Sequence, residues 1–237
     1  MMIGRIIGWL MLLAFVAALI FAYGVWSRRI AVPEQYDPFA PLDVRAPRGP
    51  LTAYKLWRTT HDAKLCDAAL AQSGIVYRPM ADTSAPVGCE LKDVVRVSQA
   101  DDVRFSASFL ATCPLAVGMA FFEQQYLQPA AMDVFGERVT RIEHVGSYAC
   151  RNVNHQKDAA LSQHASANAI DLTGFVLADG RRITLAQWDD AGTPGADFLR
   201  RVHEGACHSF DTTLGPDYNA LHKTHFHVDM GAYRICR

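Results

Sequence analysis

The chain has 237 residues, 50% of them hydrophobic and 20% charged, with a formal net charge of -1. This suits one globular domain with additional segments, and the near-neutral balance excludes a broad electrostatic partner such as nucleic acid. No internal repeat or low-complexity tract is present. From Ile6 to Trp26 the sequence is uncharged and apolar, with Arg5 before it and Arg28 and Arg29 after it. That length lets a helix cross a bilayer, and it exceeds the roughly 7–15 apolar residues of a secretory signal. Residues 1–30 are therefore expected to be one N-terminal transmembrane anchor, with Trp9 and Trp26 near its two interfaces. A signal peptide cleaved near Ala22-Tyr23-Gly24 is the competing reading. All six cysteines follow this segment. An even count without a Cys-x-x-Cys pair reads as disulfides in an exported domain, which places it on the periplasmic or extracytoplasmic side of the cytoplasmic membrane. Sequential pairing (Cys66–Cys89, Cys113–Cys150, Cys207–Cys236) is the expectation, because each bridge then closes a short loop.

Residues 31–50 contain five prolines and read as an extended linker holding the domain off the membrane. The globular domain is expected over residues 51–237. Thr60 to Ser73 has a helical pattern that Gly74 stops. Ile75-Val76-Tyr77 and Val94-Val95-Arg96-Val97 read as strands. A helix should start near Pro114, capped by Thr112 or Cys113, and run to about Phe135 with a kink or break at Pro129. Val139 to Tyr148 reads as a strand and Asn152 to Asp158 as a loop. Asp171 to Leu177 and Arg182 to Leu185 should form a hairpin about Asp179-Gly180. A helix follows over Asp197 to Phe210, burying Phe198, Leu199, Val202, Cys207 and Phe210. Mixed helices and hairpins give an α+β fold with an antiparallel sheet flanked by helices.

Two stretches carry chemistry. In His225-Phe226-His227-Val228-Asp229 polar and apolar residues alternate, so on a strand His225, His227 and Asp229 share one face. In Ala169-Ile170-Asp171-Leu172 the same rule separates Asp171 from Ile170 and Leu172. Two such strands side by side bring Asp171 beside His227. His164 lies an odd number of residues from Asp171, so it belongs on the turn that feeds the strand. The resulting His/Asp/His cluster suits a catalytic zinc with three protein ligands and an open fourth position.

These residues also carry a resemblance. Ser162-x-His164, Ala169-x-Asp171 and His225-x-His227 resemble the signature of the zinc peptidase superfamily of lysostaphin-type endopeptidases, D-alanyl-D-alanine peptidases and the hedgehog domain. The segment from about Leu51 to Arg237 resembles the bacterial extensin-like C-terminal domain within that group. Gly88-Cys89, Ser147-Tyr148-Ala149-Cys150-Arg151, Asn168-Ala169-Ile170-Asp171 and His222-x-x-His225-Phe226-His227 support this. The resemblance implies His164, Asp171 and His227 as Zn2+ ligands, with His225 beside the metal. It implies that Arg151 helps to hold substrate, although Ala149-Cys150 departs from the tighter Ser-x-Tyr-Arg spacing of the D-alanyl-D-alanine peptidases. Ala167 stands where many relatives carry Gly, a change that resists positive φ.

A metal-assisted peptidase needs a base and a leaving-group acid. No Glu lies near the second stretch, so His225 is the first choice of base and His222 the second, with Asp229 orienting a ligand His. His61, His144, His155, His203 and His208 have no partner at ligand spacing. The expected activity is zinc-dependent hydrolysis of peptide bonds in peptidoglycan cross-links, as a D,D-endopeptidase or carboxypeptidase. The expected partners are the wall peptide and, through the N-terminal helix, the membrane. The alternative is a non-catalytic, zinc-containing wall- or protein-binding module on the same fold.

Overall fold

Apolar alternation and short turns fold most of this chain into one mixed sheet, seen in a computed structural model that describes residues 2–237. Among these residues the sheet has nine strands, mostly antiparallel, with helices packed against it. In chain order the elements are α1 (Met2–Trp26), α2 (Thr52–Thr60), α3 (Ala63–Gln72), β1 (Ile75–Pro79), β2 (Val94–Ala100), β3 (Val103–Thr112), α4 (Cys113–Phe122), α5 (Gln128–Phe135), β4 (Val139–His144), β5 (Ala169–Leu177), β6 (Arg182–Thr184), α6 (Pro194–Ser209), β7 (Thr212–Leu214), β8 (Phe226–Asp229) and β9 (Ile235–Cys236). The sheet runs β1-β2-β3-β4-β5-β8-β7-β9, with β6 paired to β5. The β3/β4 and β7/β9 pairs are parallel and the others antiparallel. The β5–β6 hairpin forms where Asp179-Gly180 signals it, with Gly180 at φ +88°.

The expected helix over Thr60 to Ser73 is α3, and it is preceded by α2, a separate helix with no counterpart in the expected elements. The chain breaks at His61, and the Asp62 carboxylate caps α3 by accepting from Leu65 N–H at 3.0 Å. The helix from Pro114 to Phe135 passes Pro129 through one π-helical turn over Glu123–Leu127, which joins α4 to α5. That turn accommodates a residue with no N–H to give. Its first residue, Glu123, is fully buried; one carboxylate oxygen accepts from Gln128 Nε2 at 2.9 Å and the other has no partner. Burial pushes Glu123 up to about 7, against the opposing hydrogen bond from Gln128. Strands β3, β7 and β9 have no counterpart in the expected elements.

α4 buries every residue from Leu115 to Phe122 and so forms the centre of the helical layer. Phe122 meets Phe210, and Phe198 of α6 lies edge-on to Phe175 of β5 at 5.5 Å. Gly205 lets α6 approach the π turn, because a Cβ there would sit 2.4 Å from Tyr126 Cβ.

Two expectations need correction. The proline-rich stretch is not a free spacer: Leu42 and Val44 enter the core, and Gln125 Nε2 donates to Val44 O at 2.6 Å and Ala46 O at 3.1 Å. The disulfides are Cys66–Cys113, Cys89–Cys150 and Cys207–Cys236, so only the last of the sequential pairs forms. Packing decides the other two over loop length. Cys66 of α3 lies beside the start of α4, with Cα atoms 6.0 Å apart. The Cys89 segment lies against the loop after β4, where Tyr148 Oη donates to Cys89 O at 2.9 Å.

Candidate metal centre

The centre starts from β5 and β8. They run antiparallel with Asp171 directly opposite His227. Ile170, Leu172, Phe226 and Val228 are completely buried on the helix side, and this burial fixes the register. A slip of one residue would turn all four out of the core. With that face committed, Asp171 and His227 must occupy the opposite one.

His164 arrives from a 3-10 turn, Gln163–Ser166. Ser162 caps it, accepting from His164 N–H at 3.3 Å, and Ala167 closes it in the left-handed region at φ 55°. Ala thus adopts the conformation for which Gly is preferred, at a cost of about 1–2 kcal/mol that the surrounding bonds offset. Asn168 supplies several of these bonds: its Nδ2 donates to Gln163 Oε1 and Met230 O, each at 2.8 Å, and its Oδ1 accepts from Thr112 Oγ1 at 2.5 Å. The turn is thereby tied to the end of β8 and the top of β3.

Three ligand-type atoms converge. His227 Nδ1 is 2.9 Å from Asp171 Oδ1, and His164 Nε2 is 3.2 Å from both. Ligand atoms around a tetrahedral zinc with bonds of about 2.0–2.1 Å stand roughly 3.3 Å apart, so the cluster fits such an ion with little movement. The outer nitrogens are held as well. His164 Nδ1 donates to Ser147 O at 3.0 Å, and His227 Nε2 donates to Asp229 Oδ2 at 2.9 Å. Each bond keeps a proton on the outer nitrogen, so the inner nitrogen, facing Asp171, is the one that a metal would take. Burial alone would raise Asp171, but hydrogen bonds from His164 and His227 outweigh it and hold the carboxyl well below the usual range. Burial alone would lower His227, but its bonds to Asp171 and Asp229 prevail and push it up to about 9.

The other sequence-predicted residues border this cluster. His225 immediately precedes β8, and its Nε2 is 3.6 Å from Asp171 Oδ1. Its ring centroid lies 5.2 Å from that of His222, which in turn lies 6.0 Å from that of His227. His222 is buried, with Nδ1 held 2.8 Å from Asn219 Oδ1. Burial, then the charges of His225 and His227, push His222 down to about 4. Burial also lowers His225, against the pull of Asp171. Arg151 is close enough for its charge to be felt at both His222 and His225, and among the described residues it has no carboxylate partner.

Ser147, Asn168 and Asn219 were not singled out from the sequence as parts of the site. Both Ser147 and Asn168 carry a signal, since they stand within the Ser-Tyr-Ala-Cys-Arg and Asn-Ala-Ile-Asp runs, but Ser147 contributes its backbone carbonyl, which residue type does not mark. A second cluster, His203, Cys207 and Cys236, has ligand-type atoms within reach of one another, but both cysteines are joined in a disulfide. His144 is a structural residue, with Nε2 donating to Ala107 O at 2.8 Å.

No curated protein and no solved structure matches the chain. Residues 64–237 match the family described as the Extensin-like protein C-terminus, a span that contains every residue of the cluster and all three disulfides. On that match, the chain belongs to the extensin-like C-terminal family.

Proposed function

We propose that this protein is a zinc peptidase that hydrolyses peptide bonds of peptidoglycan, held by α1 in the cytoplasmic membrane with its domain on the extracytoplasmic side. The observation that carries the reading is the convergence of His164 Nε2, Asp171 Oδ1 and His227 Nδ1, each histidine oriented by an outer hydrogen bond. The resemblance of these motifs to the lysostaphin, D-alanyl-D-alanine peptidase and hedgehog group supports it, as do the apolar helix and the three disulfides.

Zinc, when bound, lowers the pKa of water and polarises a carbonyl. The chain supplies the remaining functions. His225, beside Asp171 but outside the triangle of ligand atoms, is placed to take the proton from the attacking water. Once it has taken that proton, His225 can return it to the leaving amine, while His222, its Nδ1 held by Asn219, packs against the His225 ring. Arg151, whose charge is felt at His225, suits a carboxylate of the wall peptide.

The test is incubation of the zinc-loaded full chain with purified cross-linked wall fragments, followed by mass spectrometry. Cleavage should release fragments with a new amine and carboxylate, and His225→Ala should abolish it. A wild-type chain that holds zinc and cleaves no fragment would instead be a binding module.

A further inference from the structure

α1 does not lead into a free tether. Two residues beyond its end, Arg28 pairs with Asp37, which is almost fully buried, and also donates to Phe39 O at 3.2 Å. Arg58 of α2 donates to the same Phe39 carbonyl at 3.4 Å and to Ala40 O at 2.8 Å. Lys55, one turn earlier on α2, donates to Glu34 O at 2.7 Å. The segment that leaves α1 is thus bound along α2, with Arg28 and Arg58 side by side on one acceptor.

α2 is amphipathic in an unusual sense. Leu56 and Thr59 face the core, while the opposite face presents Tyr54 and Trp57 at i and i+3, continued by His61 at the helix's C-cap. Trp57 is 50% exposed and Tyr54 42% exposed. Their ring centroids are 6.2 Å apart, and Trp57 to His61 is 5.1 Å, so the three rings form one continuous stripe. Trp is seldom left this open on a soluble surface. The joining segment adds exposed Ile30, Tyr36 and Phe39. Amphipathic rings on a helix tied to the end of a membrane-crossing segment match the headgroup layer, where Tyr and Trp are enriched.

We propose that the Tyr54–Trp57–His61 face of α2 lies in the headgroup layer of the same bilayer that α1 crosses, so that the domain sits on the membrane. This rests on reading α1 as an uncleaved anchor. It also sets the height of the metal centre. His61 and Gln163 line one hollow, and Gln163 is the neighbour of His164 in the 3-10 turn. The site would then reach wall peptides close to the membrane and not those a long tether could scan.

The test reconstitutes the full chain in phosphatidylcholine/phosphatidylglycerol vesicles with lipids brominated close to the glycerol backbone. Trp9→Phe/Trp26→Phe reports Trp57, and Trp26→Phe/Trp57→Phe reports Trp9. Trp9→Phe/Trp26→Phe/Trp57→Phe leaves only the core residue Trp188 as background. The proposal expects loss of most of both the Trp57 and the Trp9 emission. Quenching of Trp9 with Trp57 left bright would overturn the seating of α2 while leaving the anchor intact. Failure to quench either would overturn the anchor reading and the seating with it.

Discussion

Asp229 offers the sharpest perturbation of the proposed centre because it touches the metal cluster only through His227. Its Oδ2 accepts from His227 Nε2 at 2.9 Å, while its Oδ1 accepts from Gly231 N–H at 2.8 Å. Asp229→Ala removes the acceptor that keeps the proton on Nε2. Loss of such a partner costs about 10–100-fold in metal affinity, or about 1.4–2.7 kcal/mol. Asp229→Asn should be at least as damaging although it is nearly isosteric. Gly231 N–H needs the amide oxygen, so the amide NH2 is turned toward His227 Nε2. A donor there drives the histidine proton onto Nδ1, the atom that must bind metal. The assay is competition for zinc against a chelator of known affinity, with both variants and the wild type at one alkaline pH. A fixed pH matters because protons compete at His227, whose pKa stands at about 9. Thermal melts of the metal-free proteins separate loss of the site from loss of the fold. Asp229→Asn binding zinc as tightly as the wild type would refute the reasoning.

Burial raises Glu123 from its ordinary 4.5 to about 7. Between these values the folded chain keeps a proton that the unfolded chain releases, so stability should fall by about 3 kcal/mol as pH rises through that window and then level off. Glu123→Gln should remove this slope in urea titrations; an unchanged slope would assign it to other groups. The Cys89–Cys150 bridge closes a separation of 61 residues. Replacing both cysteines by Ala should cost about 4 kcal/mol in chemical denaturation and loosen the loop that carries Arg151, with zinc retained. Arg151→Ala should weaken wall fragments bearing a free carboxylate by about 10–100-fold in calorimetry, as expected for a lost charged hydrogen bond. Fragments with that carboxylate amidated should be affected little.

The core of the site was legible because strand alternation is a local rule. Ile170 and Leu172, and Phe226 and Val228, had to face inward, which left Asp171 and His227 on one outer face and in direct register. The odd spacing of His164 likewise required a turn, and the 3-10 turn ending at Ala167 supplies it. The disulfides were not legible, because the partner of Cys66 follows from how α3 packs beside α4, over a separation of 47 residues. The docking of residues 31–50 was missed for a related reason. Prolines indicate an extended path but not what Leu42 and Val44 touch along it. Strand β3 did carry a signal, since Val103, Phe105, Ala107, Phe109 and Ala111 alternate with Arg104, Ser106, Ser108 and Thr112, but the expected elements overlook it; β7 and β9 are only three and two residues long.

The central claim is that His164, Asp171 and His227 hold a zinc ion while His225 stands beside it. Metal content of the purified full chain, measured by inductively coupled plasma mass spectrometry, tests it most directly. One zinc per chain should be found in the wild type and in His225→Ala, and far less in His164→Ala, Asp171→Ala and His227→Ala. A wild-type chain that neither carries zinc nor takes it up on titration would contradict the account, as would zinc loss confined to His225→Ala.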